Sequence, residues 1–455
     1  MSKSFLDSRG VRSCLFGIAA SVTVACAGTA QAQQPPYFSC SELRNPNQQV
    51  KIAPIFLATA DLAENPFDCF AWQNFIYFMW PALPGPRGVA NPNAKLGAGG
   101  PTVWETYRTI DTLFLPDGRD PGPWNGLQLL ATLHGSLAQQ VASGAVRNLT
   151  MTSKISRPVL ANILRGAAAI PQAILDEISQ AGGGTLYDLN GFPVYYEVSM
   201  DEAQYNYIVQ NGLYDATKQF TFAQANVINM PAGSDTTTNA VEMKAAWKVL
   251  TAAEQKSGRF HTVQALLSGS KTPVEVGLVG FHFFVSSGSQ GAWATFAQVD
   301  NAPVQQPAAS GTFNFFNPLA TNPPNIKDAD PGQVVQVNPD ATAADAANGY
   351  VHYLLTQKDP KSVWQYYKLV NVQWPLTPAA LAKLPPPAST PLPDGAPNVP
   401  TLVNAVLETF LQQPNVSCVS CHQYAQTAPS ASNPRYAASY SFMFGRANSP
   451  AGTTR

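Results

Sequence analysis

Apolar residues gather in separated blocks along this chain, and the spacing inside each block predicts its fold. The run from Phe70 to Trp80 is aromatic on all sides and stops at Pro81, which predicts a buried helix anchored at Cys69. Leu83 to Pro101 is Gly- and Pro-rich and reads as a loop. Helical spacing returns over Trp104 to Phe114 and over Leu127 to Val146. Strands follow: Asn190-Gly191 is a turn signal leading into Val194 to Val198, and Asp201 then opens a helix that Gly212 closes. Val241 to Leu250, Val274 to Val285 and Val363 to Trp374 read as further strands, with a helix over Ala343 to Thr356. The fold class is therefore α+β, a large mixed body with a loop-rich surface, followed by a short C-terminal helical segment.

Punctuation divides the chain. Residues 1–32 have the layout of a secretory signal: Lys3, Arg9 and Arg12, an apolar run from Cys14 to Gly28, then Ala30-Gln31-Ala32. That run is too short for a comfortable membrane span, so no stable transmembrane anchor is expected. Cys26 is a weak lipidation candidate that lacks the usual upstream leucine. Residues 33–374 form the body. Residues 375–400 hold Pro385-Pro386-Pro387, Pro391, Pro393 and Pro397, an expected extended linker. Residues 401–455 begin with Val403, Val406, Leu407, Phe410 and Leu411 on one face of a predicted helix, with Thr401 as its N-cap.

Composition narrows the class of function. Charged residues are 12% of the chain, prolines number 39, and the net charge is -1. A near-neutral chain with so few charges is not built to bind nucleic acid. At 45% apolar content it has ample material for a core.

The stretch with chemistry in it is Cys418-Val419-Ser420-Cys421-His422. Two thiols two residues apart, followed directly by a histidine, form the attachment signature of c-type haem: the cysteines take covalent bonds and His422 ligates the iron. A zinc site would want four ligands, and no second Cys-x-x-Cys pair exists. A redox dithiol would sit at a strand-to-helix junction, whereas these cysteines follow a helical stretch and the turn Gln413-Pro414-Asn415. An inert pair or plain disulfide is the remaining rival. Export agrees with the haem reading, and it leaves Cys40 and Cys69 to pair in an oxidising compartment.

Only 33 residues follow His422, and they are rich in Ser, Ala and Asn. Such a tail cannot enclose a haem, so the body must supply most of the pocket wall. The candidate distal ligand is His282, set in the apolar run Gly277 to Phe284, with Met443 as runner-up. The bland alternative for His282 is a core histidine bonded to a backbone carbonyl. His134, His261 and His352 carry no comparable signal. Gly182-Gly183-Gly184 lacks the Lys-Ser/Thr of a phosphate loop and reads as a turn. Glu197, Glu242 and Lys244 read as solvated or paired strand residues, and the tryptophans as core.

Several segments together resemble a largely uncharacterised family of exported bacterial single-haem c-type cytochrome proteins. They include Cys69 to Phe75, Tyr196-Glu197-Val198, Tyr207 to Tyr214, Lys244-Ala245-Ala246-Trp247, Gly280-Phe281-His282, Val299-Asp300-Asn301, Gln373-Trp374-Pro375 and Ser417 to His422. The resemblance implies a large body with a C-terminal haem segment and a histidine at position 282. A second histidine of that family is Val285 here. The expected function is a periplasmic monohaem cytochrome passing single electrons to a protein partner. The alternative is a haem-dependent oxidoreductase whose body forms a substrate site, and a third is a docking module stapled by haem.

Overall fold

The computed structural model describes residues 66–126, 135–152, 184–233, 239–287, 291–304, 311–338, 340–376, 397–428 and 435–450. In chain order the elements are α1 (Pro66–Phe78), β1 (Arg108–Thr109), α2 (Ile110–Leu113), α3 (Gly135–Ala142), β2 (Arg147–Leu149) and β3 (Tyr195–Met200). Next come α4 (Glu202–Gln210), α5 (Ala216–Ala223), β4 (Val241–Val249), α6 (Ala252–Ser257), β5 (Thr262–Leu267) and β6 (Val274–Val285). The remainder are β7 (Ala292–Gln298), α7 (Thr342–Lys358), β8 (Tyr367–Gln373) and α8 (Cys418–His422). The fold is mixed α+β, as the apolar spacing predicts.

One eight-stranded sheet organises the body in the order β1-β3-β4-β6-β5-β2. Strand β6 is long enough to serve two neighbours on one edge. Its first half pairs with β5 and its second half with β7, which in turn pairs with β8. Only β2 and β5 run parallel. The bridge Met151↔Tyr196 ties the chain just after β2 back to β3, which curls the sheet.

Strand alternation gives β6 two different faces. Phe281 and Phe283 belong to the aromatic core with α1: Phe75 stacks on Phe296 at 4.2 Å, and Phe78 meets Phe283 edge-on at 5.2 Å. Helix α7 is tied to the same layer, since Asn348 accepts from Trp72 Nε1 at 3.1 Å and donates to Leu369 O at 2.9 Å. Gly280, His282 and Phe284 alternate to the opposite face, which the C-terminal segment covers.

Several expected boundaries differ. Trp104 to Phe114 is not one helix: a 3-10 turn, Trp104–Thr106, precedes β1 and the single-turn α2. Pairing of Arg108 and Thr109 with Met200 and Ser199 overrides the helical spacing. Of the helix expected over Leu127 to Val146, Gly135–Ala142 is helical and residues 127–134 lie outside the described residues. Val363–Tyr366 is a 3-10 turn, so the last strand starts at Tyr367. Residues 377–396 of the expected linker lie outside the described residues, but its ends pair as Pro375↔Pro397, so it leaves and returns at one place.

The predicted helix after Thr401 is replaced by coil and a turn, with only Thr409–Leu411 forming a 3-10 helix. Asn404 instead caps a single turn: its Oδ1 accepts from Val406 N at 2.9 Å and Leu407 N at 3.3 Å, and its carbonyl accepts from Glu408 N at 2.8 Å. Thr401 Oγ1 instead accepts from Asn415 N at 2.9 Å, closing the loop that leads to the cysteines.

The signal-like residues 1–32, Cys26, Cys40, His134, Gly182 and Gly183 lie outside the described residues.

Candidate functional site

Between the sheet face carrying His282 and the C-terminal segment lies an open cleft of about 180 Å³. Cys418, Cys421, His422, His282 and Met443 all line it. Residues far apart in the chain thus meet at one place.

The cysteine-bearing turn is built locally. Ser417 caps α8 reciprocally with Ser420: Ser420 N donates to Ser417 Oγ, and Ser417 N donates to Ser420 Oγ at 2.8 Å. Val419 N donates to Gln373 Oε1 at 2.9 Å, which fastens the turn to the end of β8. The two cysteines are not joined to one another by a disulfide. Burial pushes the Cys418 thiol well above its ordinary range, with Glu408 and Cys421 adding to the rise. That is the reverse of a reactive dithiol, whose thiolate is stabilised.

His422 is held by one ring nitrogen. Its Nδ1 donates to Tyr440 O at 2.6 Å, which assigns the proton to Nδ1 and leaves Nε2 with no hydrogen-bond partner among the described residues. Burial lowers its pKa to about 4, with Lys244 and His282 nearby also opposing protonation. The imidazole is therefore neutral at physiological pH, the state a metal ligand requires. Tyr440 presents its carbonyl from a left-handed backbone, φ 60°, unusual for a buried aromatic residue. Phe442 packs edge-on to His422 at 5.1 Å, and Trp293 lies 6.4 Å away.

The opposite wall is polar. On β6, His282 pairs in register with Lys244 of β4 and Thr295 of β7, and Phe284 with Glu242 and Trp293. His282 Nε2 lies 3.0 and 3.1 Å from the two carboxylate oxygens of Glu408. Glu408 Oε2 also accepts from Asn404 N at 3.0 Å. The partner of His282 is thus a carboxylate on the C-terminal segment, not a backbone carbonyl. Burial lowers the Lys244 pKa, while Glu408 and Glu242 pull it back up. Glu242 is raised by burial, against hydrogen bonds from Ser441 (2.6 Å) and Gln204 (3.2 Å).

Met443 is buried, and its sulfur accepts from Gln204 Nε2 at 3.2 Å. His261 and His352 are elsewhere, bonded to Glu105 at 2.6 Å and Tyr367 O at 2.6 Å. Glu197 is paired, as expected for a strand residue, but buried, with Arg147 as its partner. Glu242 and Lys244 are not solvated surface residues: they form part of the cleft wall. Alternation along β4 already sets both on the face of His282, but the register that joins them is invisible in a single sequence. Among the tryptophans named above, Trp293 is the one that lines the cleft, against Phe284 at 4.7 Å. Glu408 gave no sequence signal, because it sits in a stretch whose apolar spacing predicts helix.

Cys418, Cys421 and His422 are the cleft residues that would hold a covalently attached cofactor. Among the described residues no group of three or more His, Cys, Asp or Glu is arranged to hold a bare metal ion.

Comparison with protein-family models, curated proteins and solved structures returned no match. Function therefore rests on the site itself.

Proposed function

We propose that this cleft holds one covalent c-type haem and that the protein works by single-electron redox chemistry in the periplasm. Cys418 and Cys421 would form the thioether links, and His422 Nε2 would bind the iron. The observation that carries the reading is the His422 Nδ1 bond to Tyr440 O. An axial histidine needs its second nitrogen held in this way, to fix both the tautomer and the ring orientation. A ligand set with one protein histidine suits haem, whose macrocycle supplies four of the iron's donors, and suits zinc poorly.

The bound haem supplies a one-electron couple at iron. The chain's own contribution is an apolar proximal side, Trp293, Tyr440 and Phe442, and a polar far side around His282. The first functional reading is a carrier that meets a periplasmic redox protein. The polar wall favours a second, a haem-dependent oxidoreductase, because a simple carrier has no use for Glu242, Lys244 and Glu408 beside the cofactor. The cysteine pair Cys40–Cys69 belongs to the same exported setting.

Export and haem are tested together by expressing the chain with the cytochrome c attachment machinery. A haem-stained band surviving denaturing electrophoresis is expected in the periplasmic fraction, lost in Cys418→Ala/Cys421→Ala. Colourless exported protein sinks the reading.

A further inference from the structure

The two histidines of the cleft are held by opposite ring nitrogens. His422 is tied through Nδ1, which leaves Nε2, the nitrogen remote from the backbone, for iron. His282 is tied through Nε2 to both oxygens of Glu408, and its Nδ1 has no hydrogen-bond partner among the described residues. A carboxylate only accepts, so Nε2 of His282 carries a proton, and in the neutral ring the lone pair is then on Nδ1. The geometry is that of a base oriented by a third group.

We propose that the cleft binds a small protic molecule of the hydrogen peroxide or hydrogen cyanide class, with His282 as its proton acceptor and Glu408 as the positioning residue. This rests on the haem reading above. His282 would take the proton of H–X at Nδ1 as the H–X bond breaks, and the bound haem would supply the acceptor for the electron pair left on X. No electron is transferred, so no further reactant is required.

Iron coordination by His282 is the competing role, and the sheet disfavours it. Nδ1 is three bonds from the backbone of β6, with Lys244 and Thr295 directly across on both neighbouring strands and Phe284 two residues on. A macrocycle drawn onto that nitrogen would have to lie on those side chains. Glu408 is itself held by Asn404 N at 3.0 Å, so the carboxylate that bonds His282 Nε2 is anchored to the backbone. The Lys244 ammonium, beside His282 in register, adds a positive charge near an incoming anion.

The experiment uses the exported holoprotein and hydrogen cyanide as probe. Ferric wild type is expected to show high-spin iron by absorbance and EPR and to bind cyanide rapidly. His282→Ala is expected to keep the high-spin spectrum but slow cyanide association by about 100-fold or more, the usual contribution of a positioned base. Glu408→Gln is expected to slow it less, and Glu408→Asp to recover part of the loss. His282→Gln, which preserves side-chain bulk, guards against a fold defect, and the haem-stained band reports intact attachment for every variant. Low-spin wild-type iron that turns high-spin in His282→Ala overturns the proposal by making His282 a ligand. An unchanged cyanide rate in both His282 variants also overturns it. Absence of the haem band is a different failure, that of the haem reading.

Discussion

Asn404→Ala is the sharpest test of how the cysteine-bearing segment is held on the body. Asn404 is fully buried, and every polar atom of its side chain is used. Its Nδ2 donates to Thr295 Oγ1 at 2.9 Å and Phe296 O at 3.0 Å, across to β7. Its Oδ1 accepts from Val406 N at 2.9 Å and Leu407 N at 3.3 Å, within the segment. Truncation leaves three well-placed partners and one weaker one without a bond in a dry interface. Each orphaned buried group costs roughly 1–3 kcal/mol, and partial relaxation lowers the sum, so a loss of about 3–5 kcal/mol is expected. The assay is urea unfolding of holoprotein, reading the midpoint at constant slope. Because Thr295 stands beside His282 in register, the variant should also disturb the far wall, seen as altered cyanide binding. A stability change under about 0.5 kcal/mol would refute the claim that this asparagine pins the segment.

Three more perturbations probe other parts of the same construction. A Cβ at Gly280 would lie 3.1 Å from Leu407 Cδ1, so Gly280→Val should overpack the sheet–segment contact and cost about 1–3 kcal/mol by urea unfolding, with Val276→Ala as a cavity control elsewhere in β6. Cys40 and Cys69 should resist alkylation until reduced, and replacing both should lower stability by about 3 kcal/mol; free thiols at both positions in the native protein would refute the pairing. Asp68 is buried with no hydrogen-bond partner for its carboxylate among the described residues, and burial raises its pKa to about 7. Its folded pKa lies above the unfolded value, so its contribution is most favourable below about pH 4 and is lost as pH rises toward 7. Asp68→Asn should therefore stabilise the protein above pH 7 and flatten its stability between those limits; an unchanged pH profile of unfolding would refute this.

The difference between what could and could not be read from the sequence follows from the range of the interactions involved. Helix α1 and strand β6 were legible because their identity is set by their own residues: an aromatic run stopped by Pro81, and an apolar run bounded by turn residues. The segment after Thr401 was misread for a matching reason. Its apolar residues are spaced as on a helix, yet Val406 and Leu407 are buried against Tyr196, Ala246 and Val279, and only a turn capped by Asn404 forms there. Spacing reports which residues will be buried, and here it found them. It does not report whether a helix or a pinned coil presents them.

The same distinction governs the site. Cys418, Cys421 and His422 are adjacent, so their joint chemistry is local and visible. His282 was singled out only as a polar residue in an apolar strand, an anomaly that asks for a partner without naming one. The partner is Glu408, 126 residues further on, and it is brought there by the coil that spacing misreads as helix. Asn404 bridges to β7 through its side chain and donates its backbone N–H to Glu408 Oε2, so it helps to fix Glu408 against His282. The pinned turn therefore helps to assemble the far wall. The two cleft histidines are also oriented differently, His422 by the Tyr440 carbonyl and His282 by the Glu408 carboxylate. Swapping those partners' chemistry, as Glu408→Gln does, is the change that most directly asks whether the far wall acts on a ligand or merely encloses one.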